Sequence, residues 1–232
     1  MKTSFWTKLL DLISPRLCVV CGTRLSAEQS VLCSRCWLHM PFTHFSAHPA
    51  SNPMARLFWG QFPIERATAL FFYEPKSEQA ELIYSLKYRN RPEVGVQLGS
   101  IMARDLLPTG FFQGIDALVP VPIGRNHRRQ RGYNQSEAIA QGIAQQTGLP
   151  IYNKVLVRKD GAVSQTRLSQ FERHANAESS FCLADASQTA HRHLLIVDDV
   201  VTTGSTMSAC GRLLSQAPGV RLSALSLGFT KT

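Results

Sequence analysis

The thirteen residues from Leu194 to Thr206, Leu-Leu-Ile-Val-Asp-Asp-Val-Val-Thr-Thr-Gly-Ser-Thr, gather two adjacent carboxylates, four hydroxyls and a glycine. The apolar run Leu194 to Val197 has the length of a buried strand, and Asp198 and Asp199 follow at its end. After Val200 and Val201, the small residues Thr202, Thr203, Gly204, Ser205 and Thr206 open a helix whose apolar positions are Met207, Cys210, Leu213 and Leu214. This is a layout for holding a phosphorylated sugar. Backbone N–H groups at a helix start, with hydroxyls around them, cradle a phosphate. Gly204 lets the backbone approach closely and turn with φ > 0. Carboxylates at the end of a parallel strand accept hydrogen bonds from two vicinal ribose hydroxyls. A bare Asp-Asp would be better read as a surface turn, but here each flanking element fits a ligand. The chain has no Gly-x-x-x-x-Gly-Lys-Ser/Thr and no Gly-x-Gly-x-x-Gly after a strand, which excludes a P-loop and a dinucleotide fingerprint.

What remains resembles, over all thirteen residues, the phosphoribosyl pyrophosphate (PRPP) signature of type I phosphoribosyltransferases. That resemblance implies PRPP contacts from Asp198, Asp199, Val200, Val201, Thr202, Thr203, Gly204, Ser205 and Thr206.

A second constellation lies near the start of the chain. Cys18-Val19-Val20-Cys21 and Cys33-Ser34-Arg35-Cys36 are two C-x-x-C pairs with eleven residues between them. Two such pairs can bring four thiolates into one tetrahedron around a structural Zn²⁺. The gap is shorter than the roughly 15–20 residues usual between such pairs, which demands tight knuckles, and Gly22 suits one. The rival readings are two disulfides or a redox motif. Nothing directs the chain out of the cytosol, and a thioredoxin-like motif would not come twice. His39 and His44 are expected to be ordinary surface residues, Cys182 and Cys210 small buried ones.

Bulk properties bound the rest. The 232 residues suffice for one α/β domain and a small appendage, and 44% hydrophobic content is normal for a packed core. No apolar stretch approaches the ~20 residues of a membrane span. Residues 1–14 read as a short amphipathic helix (Phe5, Leu9, Leu12, Ile13) stopped by Pro15, with Lys8 and Asp11 interrupting any signal-peptide pattern. A cytoplasmic protein with no membrane insertion is expected. The net charge of +9 is concentrated in two places: six basic against two acidic side chains in residues 1–60, and nine against four in 116–177. Such a surplus suits a polyanion, either nucleic acid or a pyrophosphate, although simple solubility explains it equally.

The coarse pattern alternates strands with helices. Strands are expected at Ala67–Tyr73, Ile115–Val121, Ile151–Val157, Leu194–Val197 and Arg221–Phe229, and helices at Ser77–Tyr88, Glu93–Leu107 and Asn134–Thr147, the last ended by Gly148. This pattern implies an α/β fold, a mostly parallel sheet flanked by helices. Two loops stand out. The first, Arg125-Asn126-His127-Arg128-Arg129-Gln130-Arg131-Gly132-Tyr133-Asn134-Gln135, sets four arginines before a helix, and each guanidinium can grip two oxygens. A solvated basic loop or a nucleic-acid contact accounts as well for Arg128 and Arg129, whereas Arg131 leads into the helix and is the better ligand candidate. The second, Arg158 to Asn176, is long and poor in apolar residues, so that Gln165, Arg167, Arg173 and Asn176 could close over a substrate.

Taken in order, several segments resemble the ComF family (ComFC, also called GntX-like), bacterial phosphoribosyltransferase-like proteins linked to competence and the use of external DNA. They are the paired C-x-x-C at 18–36, Leu86-Lys87-Tyr88, Val119-Pro120-Val121-Pro122, Arg131 to Gln135, Gln165 to Asn176, and Val197 to Gly204. The resemblance implies a type I phosphoribosyltransferase fold with an N-terminal zinc-ribbon-like segment. Residues 1–45 would hold the helix and cysteines, 46–65 a linker, and 66–232 the phosphoribosyltransferase-like domain. It further implies a pyrophosphate loop after Pro122, a flexible catalytic loop at 158–176, and Mg²⁺ bound with PRPP. Asp198, Asp199, Arg131, Lys87 and Arg173 would then be the catalytic set, although a solvated helix-end lysine is an equal reading of Lys87. No base-recognition element is evident, so a substrate hood is expected from the zinc segment or the linker. The alternative is a non-catalytic factor that handles single-stranded DNA alongside competence and DNA-uptake proteins, with PRPP as a regulatory ligand. In that case Trp37, Phe42 or Trp59 could stack on bases, although such aromatics are more often core or interface residues.

Overall fold

The computed structural model describes residues 15–159 and 180–231. The helix expected at 1–14 and the lid residues Gln165, Arg167, Arg173 and Asn176 lie outside them. The strands are β1 (Ile64–Phe72), β2 (Ala117–Pro120), β3 (Leu156–Arg158), β4 (Phe181–Leu183), β5 (His193–Val201) and β6 (Arg221–Phe229). The helices are α1 (Ser34–Leu38), α2 (Pro53–Phe58), α3 (Ala80–Tyr88), α4 (Pro92–Leu106), α5 (Arg125–Arg131), α6 (Gln135–Thr147) and α7 (Ser205–Leu214).

Strands β1, β6, β5 and β2 form, in that order, a sheet in which every pair is parallel. Side chains alternate between its two faces. Leu195, Val197, Leu225 and Leu227 join the core built on α3, α4 and α6. Leu194, Ile196, Leu222 and Ala224 join the core built on α2, α7 and the β3–β4 pair. With both faces covered, β5 reads as a continuous apolar run, as parallel strands do. On the first face α4 and α6 touch backbone to backbone. A Cβ at Gly99 or Gly142 would run into the carbonyl of Ile139 or Val96.

Four expectations change. β5 does not stop at Val197 but carries Asp198 and Asp199 within it, because its ladder with β6 continues through Asp198↔Ser226 to Val201↔Phe229. The strand expected at 151–157 is broken: Ile151 makes a single parallel bridge to Leu118, and β3 then pairs antiparallel with β4. The arginine-rich stretch is helix rather than loop. Its residues are helix-compatible, Gly132 closes it at φ 77°, and Arg128, Arg129 and Arg131 sit in the last turn, where the helix dipole favours cations. The segment expected to link the two units packs on the sheet, because its apolar side chains cover the second face. Met54, Ala55 and Phe58 of α2 are fully buried, and Asn52 both caps α2 and donates to the Ala67 carbonyl at 2.7 Å.

Both ends expected for α6 are found. Asn134 caps α6 through the Ser136 N–H, and Gly148 ends it at φ 73°. Cys210 is buried as expected, whereas Cys182, on the short β4, is partly exposed. Among the described residues no helix is long and apolar enough to cross a membrane.

Candidate functional site

From β2 the chain passes through α5 and α6 to Ile151, which bridges Leu118 on the side away from β5. It returns later as β5 on the near side. The strand order therefore reverses between β2 and β5, and parallel sheets open a crevice beyond the carboxyl ends of such a pair.

Both carboxylates stand at that edge. Asp199 is 7% exposed. Asp198 Oδ1 accepts the Ser136 hydroxyl at 3.0 Å and the Asp199 N–H at 2.8 Å. Asp199 Oδ1 accepts the Val200 N–H at 2.7 Å, and Oδ2 lies 3.3 Å from Lys87 Nζ. Burial, reinforced by the neighbouring Asp199 charge, raises the Asp198 carboxyl to about 7. Beyond Val201, Thr202 is exposed, and Gly204 turns at φ 74° into α7. A side chain at Gly204 would be strained by that φ and would press on Leu57 Cδ2 at 2.7 Å. Because glycine stands at the N-cap, no side chain caps α7, and its first N–H groups remain available. The Thr203 and Ser205 hydroxyls lie 2.7 Å apart beside them.

Cations gather opposite the acids. Tyr133 Oη and Gln135 Nε2 both donate to the Leu86 carbonyl, at 2.7 and 3.3 Å, which ties the end of α3 to the α5–α6 corner and sets Lys87 near Arg131. Arg131 donates to Gln135 Oε1 at 3.1 Å, and its Nε is buried without a hydrogen-bond partner among the described residues. His127 is held neutral below its ordinary range by burial, then by the charges of Arg131, Arg158 and Lys87. Of the sequence candidates, Asp198, Asp199, Lys87, Arg131 and the 202–206 turn thus share one edge. Arg128 instead pairs with Glu137 at 3.2 Å on the exposed side of α5. Ser136, His127 and Arg158 were not singled out individually by sequence reasoning. The Asn134 cap, which places Ser136 in the first turn of α6, was the available signal.

The cysteines form a second cluster. The Sγ atoms of Cys18, Cys21, Cys33 and Cys36 all lie within 4.8 Å of one another. The Cys21–Cys33 separation is 3.7 Å. A tetrahedron with Zn–S bonds of about 2.3 Å has edges of about 3.8 Å, so the donor set fits a metal such as zinc. The short spacing is accommodated by tight pairing: Gly22 N–H to the Cys18 carbonyl at 2.9 Å, and Val19 N–H to Val31 at 3.0 Å. Hydrogen bonds from Thr23 pull the exposed Cys21 thiol down to about 6, whereas burial pushes Cys36 up. His39 and His44 are exposed and lie outside the cluster. Between this knuckle and α3 runs a groove of about 950 Å³, lined by Cys18–Gly22 on one wall and by Tyr84, Lys87 and Tyr88 on the other.

Residues 95–219 match the family model of the phosphoribosyl transferase domain. The chain is 30% identical over 201 residues to the DNA utilization protein YhgH of Salmonella typhimurium, covering 85% of this chain and 83% of that one. It is 25% identical over 212 residues to Competence protein F of Haemophilus influenzae, covering 85% and 90%. A shorter similarity, 30% over 143 residues and 60% of this chain, reaches 78% of the adenine phosphoribosyltransferase of Haemophilus ducreyi. The matched residues run from α4 to the turn before β6 and include the whole acidic edge of β5, so this chain belongs to the phosphoribosyl transferase domain family and, with YhgH and Competence protein F, to its ComF branch.

Proposed function

We propose that the protein binds PRPP with Mg²⁺ and transfers the 5-phosphoribosyl group to an acceptor, in a process that uses external DNA. One observation carries this reading: the acidic pair of β5, the uncapped start of α7 and the cations Lys87, Arg131 and Arg158 converge on the same sheet edge. The 5-phosphate would rest on the N–H groups and hydroxyls of 202–206. The ribose hydroxyls would donate to Asp198 and Asp199, and the pyrophosphate would lie against Lys87 and Arg131, with Arg173 closing from the 158–176 segment. The Lys87–Asp199 pair would part to take one ligand group each. In the transfer, an acceptor lone pair forms a bond to ribose C1 while the C1–O bond to pyrophosphate breaks, and pyrophosphate leaves with that electron pair. The carboxylates offset positive charge developing on the ring, and the cations hold the leaving group. Bound Mg²⁺ would supply further neutralisation of the pyrophosphate, for which the aspartates are suitable hard-oxygen neighbours. The similarity to adenine phosphoribosyltransferase supports turnover. The four cysteines would hold one structural Zn²⁺, and the cytoplasm is the expected compartment.

The names of the relatives, DNA utilization protein and Competence protein F, favour a second reading. In it the protein handles single-stranded DNA, and PRPP is a regulatory ligand. Calorimetry with PRPP and Mg²⁺, followed by a screen of acceptors for pyrophosphate release, separates the two. No binding at millimolar PRPP removes both. Binding without pyrophosphate release from any acceptor, together with salt-sensitive binding of single strands, selects the second.

A further inference from the structure

Trp37 and Phe42 are only partly buried, and the functional reading leaves both rings unused. They line a pocket of about 330 Å³ between the end of α1, the edge strand β1 and the last turn of α4. This pocket shares no lining residue with the groove beside Lys87. The ring centres of Trp37 and Phe42 lie 4.8 Å apart with planes at 64°, and those of Phe42 and His44 lie 6.0 Å apart at 55°. Met102 and Leu106 add apolar wall from α4, and Asp105, from the same turn, is the one carboxylate, with no Lys or Arg among the described lining residues. Burial raises the Asp105 carboxyl above its ordinary range. Among the described residues the only charge acting on it is that of Arg104, which lines a different pocket. Asp105 also stands at the end of α4 where the helix dipole favours a cation.

We propose that this pocket binds a methylated ammonium group, held by the rings of Trp37, Phe42 and His44 and by the Asp105 carboxylate. Rings inclined to one another in this way offer no common plane for a flat base, whereas a compact cation meets the negative face of each. The carboxylate decides the sign of the ligand: it attracts an ammonium and repels the phosphate of a nucleotide. These two rings are therefore poorly placed to stack on DNA. The apolar walls provide few acceptors for the three N–H donors of a primary ammonium, and a fully methylated one needs none. The volume is at the small end of ligand pockets, which run from roughly 300 to 1,000 Å³, and suits a group of this size. None of these residues belongs to the PRPP set, so the pocket stands independently of that reading.

The test uses the full chain and three probes: choline, its neutral isostere 3,3-dimethylbutan-1-ol, and a peptide carrying trimethyllysine. At constant ionic strength, calorimetry should detect choline at millimolar concentration. The isostere, which has the shape without the charge, should bind about ten-fold more weakly or not at all. Asp105→Asn should weaken choline binding about ten-fold and leave PRPP affinity unchanged. Phe42→Leu keeps an apolar side chain but removes a ring face, and should weaken choline by a similar factor. Choline binding identifies a free cation as the ligand, and binding of the trimethyllysine peptide alone places the group on a partner protein. Either supports the pocket. Equal affinity for choline and its isostere overturns it, as does an Asp105→Asn variant that binds as wild type does, or a wild type that binds none of the three probes. A wild type that binds choline but no PRPP keeps the pocket and removes the PRPP reading alone.

Discussion

At its amino end strand β5 buries His193 among charges of alternating sign; at its carboxyl end it sets Asp198 beside Asp199, with Lys87 against Asp199. His193 Nε2 lies 2.8 Å from Ser223 Oγ and 3.6 Å from Glu65 Oε2, and its N–H donates to Asp116 at 2.8 Å. Glu65 is in turn 3.6 Å from Arg221, while Arg66 donates to the Phe111 and Gln113 carbonyls at 2.6 and 2.7 Å. The charges there meet an opposite charge or a hydrogen-bonding group within the protein. At the other end like groups are neighbours: carboxyl against carboxyl, and Lys87, Arg131 and Arg158 all acting on His127. Interleaved charges make a structural network, whereas like groups held side by side, with perturbed titration, are the arrangement of a candidate ligand site. One strand carries both arrangements, and they should respond differently to perturbation.

The largest effect is expected at the four-cysteine cluster. Chelation or Cys33→Ser should take the protein from one zinc per chain to none. It should expose the segment around residues 15–40 to protease, because a segment this small does not build a stable core of its own. The His193 network and the cooperative melting of the sheet should survive. Metal analysis and limited proteolysis check this, and a sheet that unfolds together with the knuckle would tie the two ends into one unit.

Next comes the acidic pair. Asp199→Ala should weaken Mg²⁺-dependent PRPP binding about ten- to hundred-fold, or about 1.4–2.8 kcal/mol, by removing a charged hydrogen-bond acceptor. His193→Leu should leave that affinity unchanged. It should instead lower the unfolding free energy by about 1–3 kcal/mol, since the buried Ser223 hydroxyl loses its partner. Calorimetry and urea unfolding on both variants give the four numbers. A drop in PRPP affinity for His193→Leu equal to that of Asp199→Ala would erase the distinction between the ends.

The two ends were not equally legible in the sequence. The carboxyl end was, because Asp198 through Thr206 are adjacent in the chain and their chemistry is local. Its length was misjudged: whether β5 ends at Val197 or at Val201 depends on pairing with Ser226 to Phe229, which no local pattern reports. The four cysteines were equally local. The His193 network was invisible, since Glu65, Asp116 and the β6 pair Arg221 and Ser223 come from three separate stretches and are ordinary surface residue types. The helix at 125–131 was hidden for another reason. Its residues are polar throughout, so no apolar periodicity marks it, and Gly132 and the dipole-favoured arginines are the signals that sequence reasoning had to hand. The rings of Tyr84 and Tyr88 carried helical spacing, which is equally the mark of a core face, and only their exposure shows that they are not part of one.

The smallest effect, and the one that discriminates best, is the response to pH, because the two ends pull in opposite directions. Burial holds His193 below its usual 6.5 in the folded state, so the unfolded chain takes up that proton first. Stability from this end is present at neutral pH and falls as the pH drops below about 6.5. Asp198 is raised from 3.8 to about 7 in the folded state, so here the folded chain takes up the proton first. Stability from that end rises as the pH falls from about 7 towards 3.8. In the unliganded wild type the two slopes partly cancel across this window. Asp198→Asn should unmask the loss, giving a urea midpoint that falls more steeply on acidification than that of wild type. His193→Leu should unmask the gain, giving a midpoint that rises between pH 7 and 5. PRPP adds a further arm, because the ribose hydroxyls need an ionised acceptor: its affinity should decline below about pH 7 in wild type and in His193→Leu alike, and should lose that dependence in Asp198→Asn. Parallel midpoint curves for the three proteins would mean that neither group titrates differently on folding, and that the contrast between the ends of β5 is geometric only.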